Sequence, residues 1–246
     1  TEQLLHFFQE EQDAAWNTYV MVTKEPLKDI FSEDLKLPES LGIYLEDLLE
    51  EWEDVRQGAQ VTVGALMSQY YNRNETLCVP MLEISDEEEK PQIRGFYVLF
   101  GLQPMGELTL QEGEQLMLLQ NERKRYAFTM QDGTRFSLEQ VQTERKITAE
   151  EDEAGNKYPL LTVIVRGNST VSALSWSEDR ESSKQQGKKE LADQLLTFLI
   201  MEQKKAGMDV ANSFLLLAGQ ERSLWEQYRE DPAQYLSDLK IRLFVK

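Results

Sequence analysis

Hydrophobic positions along the first third of the chain recur with helical spacing. Leu41, Tyr44, Leu45, Leu48 and Trp52 fall three, four and seven residues apart, while Glu46, Asp47, Glu50, Glu51 and Glu53 take the opposite face. That pattern predicts an amphipathic helix, opened by Pro38-Glu39-Ser40 and ended before Gly58. Residues 2–13 read as a second helix, with Leu4, Leu5 and Phe8 on one side and Glu10, Glu11 and Asp13 on the other. Tyr19 to Val22 form a short apolar run, the signature of a buried strand. Pro26 suits the first turn of a short helix ending near Phe31, and Thr62 can cap a helix through Tyr71. Leu77 to Ile84 is extended, interrupted by Pro80.

Asp86 to Glu89, followed by Lys90-Pro91, is a charged break closed by proline, and the domain boundary is expected there, at about residues 85–92. The expected domains are 1–88 and 89–246. Beyond the break the pattern turns to strands: Ile93 to Phe100, Tyr126 to Met130, Thr134 to Val141 with Gln142 to Ile147 either continuing it or beginning another, Tyr158 to Arg166, and Val171 to Trp176. Asp132-Gly133 between two of them predicts a hairpin with a two-residue type I′ turn, which needs positive φ at both central residues. Gly155-Asn156 after the acidic run Glu150 to Glu153 marks a second turn. Thr109 with Glu112 opens a Leu-rich helix. Residues 183–206 carry a long helix ended by Gly207, Asp209 to Leu217 a second, Gly219 a break, and Ser223 to Tyr228 a third; Lys240 to Val245 alternates as a closing strand. The order predicts an α+β fold: in the C-terminal domain an antiparallel-rich sheet with helices packed on one face and the terminal strand returning to it, preceded by a smaller mixed helical and strand domain.

Charge narrows the function. Forty-four acidic against 26 basic residues give −18 over 246 residues, a field that repels a polyanion, so no nucleic acid is expected as a partner. One histidine, His6, and one cysteine, Cys78, leave no set for a Cys/His zinc site, an intrachain disulfide or a Ser-His-Asp triad outside His6. His6 sits among Leu4, Leu5, Phe7 and Phe8 and reads as a packing or surface residue; Cys78, between Leu77 and Val79, as a small buried hydrophobe. The acidic runs at 86–89 and 150–153 are contiguous, so alternate side chains diverge instead of wrapping a cation. Gly95, Gly101, Gly106 and Gly113 form no phosphate loop. The glycosylation-type triplets at Asn74 and Asn168 are at chance level for this length. Asp209 reads as a helix-capping carboxylate and Trp225 as a core or interface aromatic. No catalytic, cofactor-binding or metal site is expected. No stretch approaches a membrane span, and no signal segment or lipid-acceptor cysteine precedes residue 1, so the chain reads as cytosolic or as a processed or trimmed piece.

The order of motifs resembles the Ger(x)C family, the C subunits of nutrient germinant receptors in spore-forming bacteria. The strand Ile93 to Phe100, with Gly95 and Phe96, is similar to a family strand with an early glycine and a closing phenylalanine. Met105-Gly106-Glu107-Leu108 before an acidic Leu-rich helix resembles a second family segment, and Gln203 through Asp209-Val210 to Trp225 a third. Val20 to Thr23 with Lys28-Asp29-Ile30 is similar to the back half of the family's N-terminal region. One departure is the replacement of the family's glycine-rich turn after Asp209-Val210 by Ala211-Asn212-Ser213. The resemblance implies a non-enzymatic subunit held by lipid, on a segment ahead of residue 1, to the outer surface of the spore inner membrane. Its partners would be the membrane-embedded A and B subunits, and its role assembly, with Trp225 or Tyr235 as exposed anchors. The rival readings are a nutrient-binding protein, an unrelated cytosolic interaction module, and a hydrolase with paired carboxylates.

Overall fold

The computed structural model describes residues 16–32, 35–56, 61–72, 76–100, 103–172 and 180–246. The predicted helix at 2–13, and His6 with it, lies outside the described residues. The chain divides into two compact units, Thr1–Gly113 and Glu114–Lys246.

The first unit holds β1 (Val22–Thr23), α1 (Leu27–Ile30), α2 (Leu41–Arg56), α3 (Val63–Asn72), β2 (Thr76–Ile84), β3 (Pro91–Phe100) and β4 (Gln103–Thr109). Its sheet runs β1-β2-β3-β4, with β1 parallel to β2 and the other pairs antiparallel. The apolar run around Tyr19 contributes less than a buried strand: a single bridge from Tyr19 to Thr62, then the two half-buried residues of β1. Thr62 does cap α3, its Oγ1 accepting from Ala65 N at 3.2 Å. Pro80 stands inside β2 without breaking the sheet, because β1 pairs only with Met81 and Leu82 and no ladder on that side needs a proline N–H.

The break at 85–92 is not a linker. β2 and β3 pair along their whole length, Thr76 with Phe100 through Ile84 with Pro91, so residues 85–90 are a hairpin connection inside one sheet. Ser85 N donates to the Lys90 carbonyl at 2.9 Å, and Glu89 takes a φ of +54°. A charged run ended by proline marks a solvated turn as well as it marks a linker.

A helix α4 (Leu110–Leu119) carries the chain from one unit into the other. Thr109 and Glu112 close a reciprocal cap: Thr109 N donates to Glu112 Oε2 at 2.8 Å, and Glu112 N to Thr109 Oγ1 at 3.3 Å.

The second unit contains β5 (Arg125–Thr129), β6 (Arg135–Glu151), β7 (Lys157–Ser172), α5 (Arg180–Leu199), a π-helical turn (Ile200–Lys205), α6 (Ser213–Gln220), α7 (Arg222–Tyr228), α8 (Pro232–Asp238) and β8 (Lys240–Val245). The sheet order is β5-β6-β7-β8, and β8 returns parallel to β7. Thr143, Ile147, Leu161, Val163 and Val165 are buried in one phase of β6 and β7, with α6 packed on β6 and α5 on β7 and β8. Glu144 with Arg166, and Glu150 with Arg242, pair in the other, open phase. This is the expected α+β arrangement with helices on one face.

The Asp132-Gly133 hairpin forms with a different turn. Only Gly133 has positive φ, +84°; Gly133 N donates to Met130 O and Met130 N to Thr134 O. That is a type I turn followed by a left-handed glycine, and Asp152 to Asn156 repeats it with Gly155 at +83°. Asp132 and Asp152 stabilise these turns by accepting backbone N–H bonds, 2.8 Å from Thr134 and 2.9 Å from Ala154. The strand expected at Val171 is the end of β7, and Trp176 lies outside the described residues. Gly219 is inside α6; the break falls at Glu221. Strand β4 and helix α8 were not expected, although Asp231 caps α8 from Oδ1 to Gln234 N at 2.9 Å with Pro232 next to it.

Candidate functional site

Five of the marked residues meet on one hairpin of the first unit. Gly95 lies opposite Thr109, Phe96 opposite Leu108, Tyr97 opposite Glu107, and Val98 opposite Gly106. Gly95 is required by close approach: a Cβ there would lie 2.4 Å from the Leu108 carbonyl oxygen. Phe96 is fully buried, and a Cβ on Gly113 of α4 would lie 2.0 Å from its ring, so glycine alone lets that helix rest on this phenylalanine. Gly106 meets nothing within 4 Å at its Cβ position and has no such packing role. Glu107 pairs with Lys24 at 2.5 Å on the surface, and Leu108 is buried. Cys78, opposite Val98, is buried in β2. Gly95, Phe96 and Leu108 act in this hairpin through packing.

Asp209 and Trp225 belong to the second unit. Asp209 follows the π-helical turn and lies beneath the start of α6, where it is 1% exposed. Its Oδ1 accepts from Ser213 N (2.9 Å), Ser213 Oγ (2.7 Å) and Gln203 Nε2 (2.9 Å), and its Oδ2 from Phe214 N (2.6 Å). Two of these donors are first-turn amides of α6, so the carboxylate caps the helix from four and five residues upstream. Burial pushes its carboxyl up from the ordinary aspartate range, while the Phe214 and Ser213 bonds and the Arg145 charge pull it back. Arg145 donates from Nη1 to the Ala211 carbonyl at 2.8 Å, and Gln120 Nε2 to the Val210 carbonyl at 3.2 Å. The turn after Asp209-Val210 is therefore held from both sides. Asn212 takes φ +49° in it, the left-handed conformation a glycine would otherwise supply, which accounts for the missing glycines.

Phe214 joins this polar centre to an aromatic cluster. Its ring centroid is 4.9 Å from Trp225 and 5.3 Å from Tyr235, and Tyr228 lies 5.8 Å from Tyr235. Trp225 is half-buried, but Tyr235 is fully buried, so it cannot serve as the exposed anchor expected of it. The acidic runs bind no common centre: residues 86–89 are exposed on a turn, while Glu150 holds Arg242 and Asp152 its own turn. Asp209 as a capping carboxylate was readable in sequence. Ser213 and Arg145 were missed; a charge at 145, in the buried phase between Thr143 and Ile147, was the available signal for a buried acidic partner.

Residues 1–84 match the family model described as the spore germination protein N-terminal domain. A solved structure, described as the crystal structure of the GerBC protein, superposes with a TM-score of 0.70 over 99% of this chain and 72% of that one, at 13% identity. Over residues 1–84 the chain is therefore similar to the N-terminal domain of spore germination proteins. The GerBC likeness is one of fold. No curated protein matches the chain in sequence. Its marked motif residues divide between a close-packed hairpin and a buried capping centre.

Proposed function

We propose that this chain is the C subunit of a spore germinant receptor: a non-enzymatic assembly component, lipid-held on the outer surface of the spore inner membrane, that contacts the membrane-embedded A and B subunits. The match of residues 1–84 to the spore germination protein N-terminal domain carries this reading. The chemistry of the marked residues supports it. Asp209, the most deeply buried acid among them, already accepts four hydrogen bonds from its own chain. Gly95, Phe96 and Leu108 act through packing. A protein of this kind works through the surface it presents to partners.

The test is affinity purification of the tagged chain from detergent-extracted spore inner membranes. The A and B subunits are expected in the eluate in constant proportion to it. Recovery of the chain alone from the soluble fraction would overturn the proposal. A thermal-shift series with amino acids and sugars checks the nutrient-binding rival, and flat curves are expected.

A further inference from the structure

Beyond Glu139, where β5 no longer pairs with it, β6 borders the second unit's sheet, and that border differs from β8. Three outward amides of this part of β6 are occupied: Val141 N donates to the Lys124 carbonyl (2.9 Å), Thr143 N to Asn121 Oδ1 (2.8 Å), and Ile147 N to Gln220 Oε1 (2.8 Å). Side-chain amides there take the bonds that an added strand would make, which blocks pairing. On β8 the register sets the opposite case. Lys246 N donates to Val165 O at 2.9 Å with Val165 paired to Val245, so the even-numbered residues bond to β7. The N–H and C=O groups of Ile241, Leu243 and Val245 therefore point away from the sheet, and no strand pairs with β8 on that side among the described residues.

The side chains along this edge select its occupant. Lys240, Arg242 and Lys246 put three cations and no acid into residues 240–246 of a chain whose net charge is −18. Lys240 lies over the Tyr158 ring at 3.7 Å and Arg242 pairs with Glu150 at 3.2 Å, which fixes both on the open face while Arg242 keeps 55% side-chain exposure. Phe244, 46% exposed, stands in the same row. The opposite row, Ile241, Leu243 and Val245, is apolar and half-buried. We propose that the outer edge of β8 accepts an extended strand of a partner protein in which acidic and apolar residues alternate, the acids facing Lys240, Arg242 and Lys246. A second copy of this chain is the wrong occupant, because pairing β8 with itself sets these cations against one another. The inference rests on the contact-making role proposed above and names a surface for it. Its test uses the isolated chain, so it can fail while subunit co-purification still succeeds.

The experiment is amide hydrogen exchange by NMR on the full chain, with a capped octapeptide alternating Glu and Val, and its Lys/Val counterpart, as probes. At millimolar Glu/Val peptide the Ile241, Leu243 and Val245 amides are expected to exchange about fivefold or more slowly, while the Thr143 and Ile147 amides are unchanged. The Lys/Val peptide is expected to protect them less than about twofold. Leu243→Pro removes one outward N–H without costing a β7 bond and is expected to abolish the protection. The doubly substituted Lys240→Glu, Lys246→Glu chain leaves the backbone intact and is expected to reverse the preference between the peptides. No protection by the Glu/Val peptide, equal protection by both, or protection only at other amides overturns the proposal.

Discussion

The two units use the same parts in reverse order and hold them together differently. Each has a four-stranded sheet with one parallel edge pair, but the parallel strand comes first in one (β1) and last in the other (β8). Each rests a helix glycine on a sheet phenylalanine: Gly113 on Phe96 in the first unit, and Gly187 of α5 on Phe136 of β6 in the second, where a Cβ would lie 2.1 Å from the ring. The interiors then diverge. Among the described residues of the first unit the buried polar side chains are Thr76 and Ser85; the second buries Gln120, Arg123, Thr143, Gln203, Asp209 and Ser213, among others. Close apolar packing fixes regular elements and needs no polar centre. The short helices and left-handed turn between α5 and β8 have little regular structure to align them, and the Asp209 centre supplies the order instead.

That contrast makes Asp209 a sensitive point of the second unit. Asp209→Ala leaves Gln203, Ser213 and two α6 amides without their buried acceptor, and is expected to cost about 3–4 kcal/mol in urea denaturation. Exchange of second-unit amides should rise far more than that of β2 and β3. Equal loss in both units would break the distinction.

The two glycine contacts come next. Gly113→Ala and Gly187→Ala should each destabilise by about 1–3 kcal/mol despite alanine's better helix propensity, because the added carbon meets a ring at 2.0–2.1 Å. Pairing each with Phe96→Leu or Phe136→Leu should recover part of the loss, and a double-mutant cycle reads the coupling directly.

Alkaline pH should separate the units as well. Burial pushes the Tyr126 and Tyr228 phenols up to about 12 and Tyr235 higher still, and all three belong to the second unit. The folded state then holds protons that the unfolded chain releases from about pH 10, so stability falls as pH rises above 10. Ultraviolet titration should show these phenols ionising late, with the second unit loosening first.

The smallest effect is a gain. Gly42 in α2 and Gly219 in α6 meet nothing at their Cβ positions, so Gly→Ala at either should stabilise by roughly 0.5–1 kcal/mol, detectable as a raised Tm.

Much of this was legible where one local rule decides. The spacing of Leu41, Tyr44 and Leu48 located α2, and the Thr109/Glu112 pair located the start of α4. The long α5 and the return of β8 also follow from periodicity. Strand β4 was hidden because Pro104 and Gly106 interrupt its alternation, and the Val98/Leu99 bulge absorbs that irregularity. The 85–90 hairpin was misread because charge and proline mark both turns and linkers. Asp209 was readable as a cap from its place before an apolar helix, but Arg145 is distant in sequence and meets it only through the fold.

On the function proposed above the chain acts through contact, and Asp209 is a structural cap and not a reactive group. The direct measurement is the nutrient-triggered germination response per assembled receptor in spores carrying Asp209→Asn, with assembly quantified from the inner membrane. Fewer assembled receptors but an unchanged response from each are expected. A normal amount of assembled subunit with a lost response would contradict it.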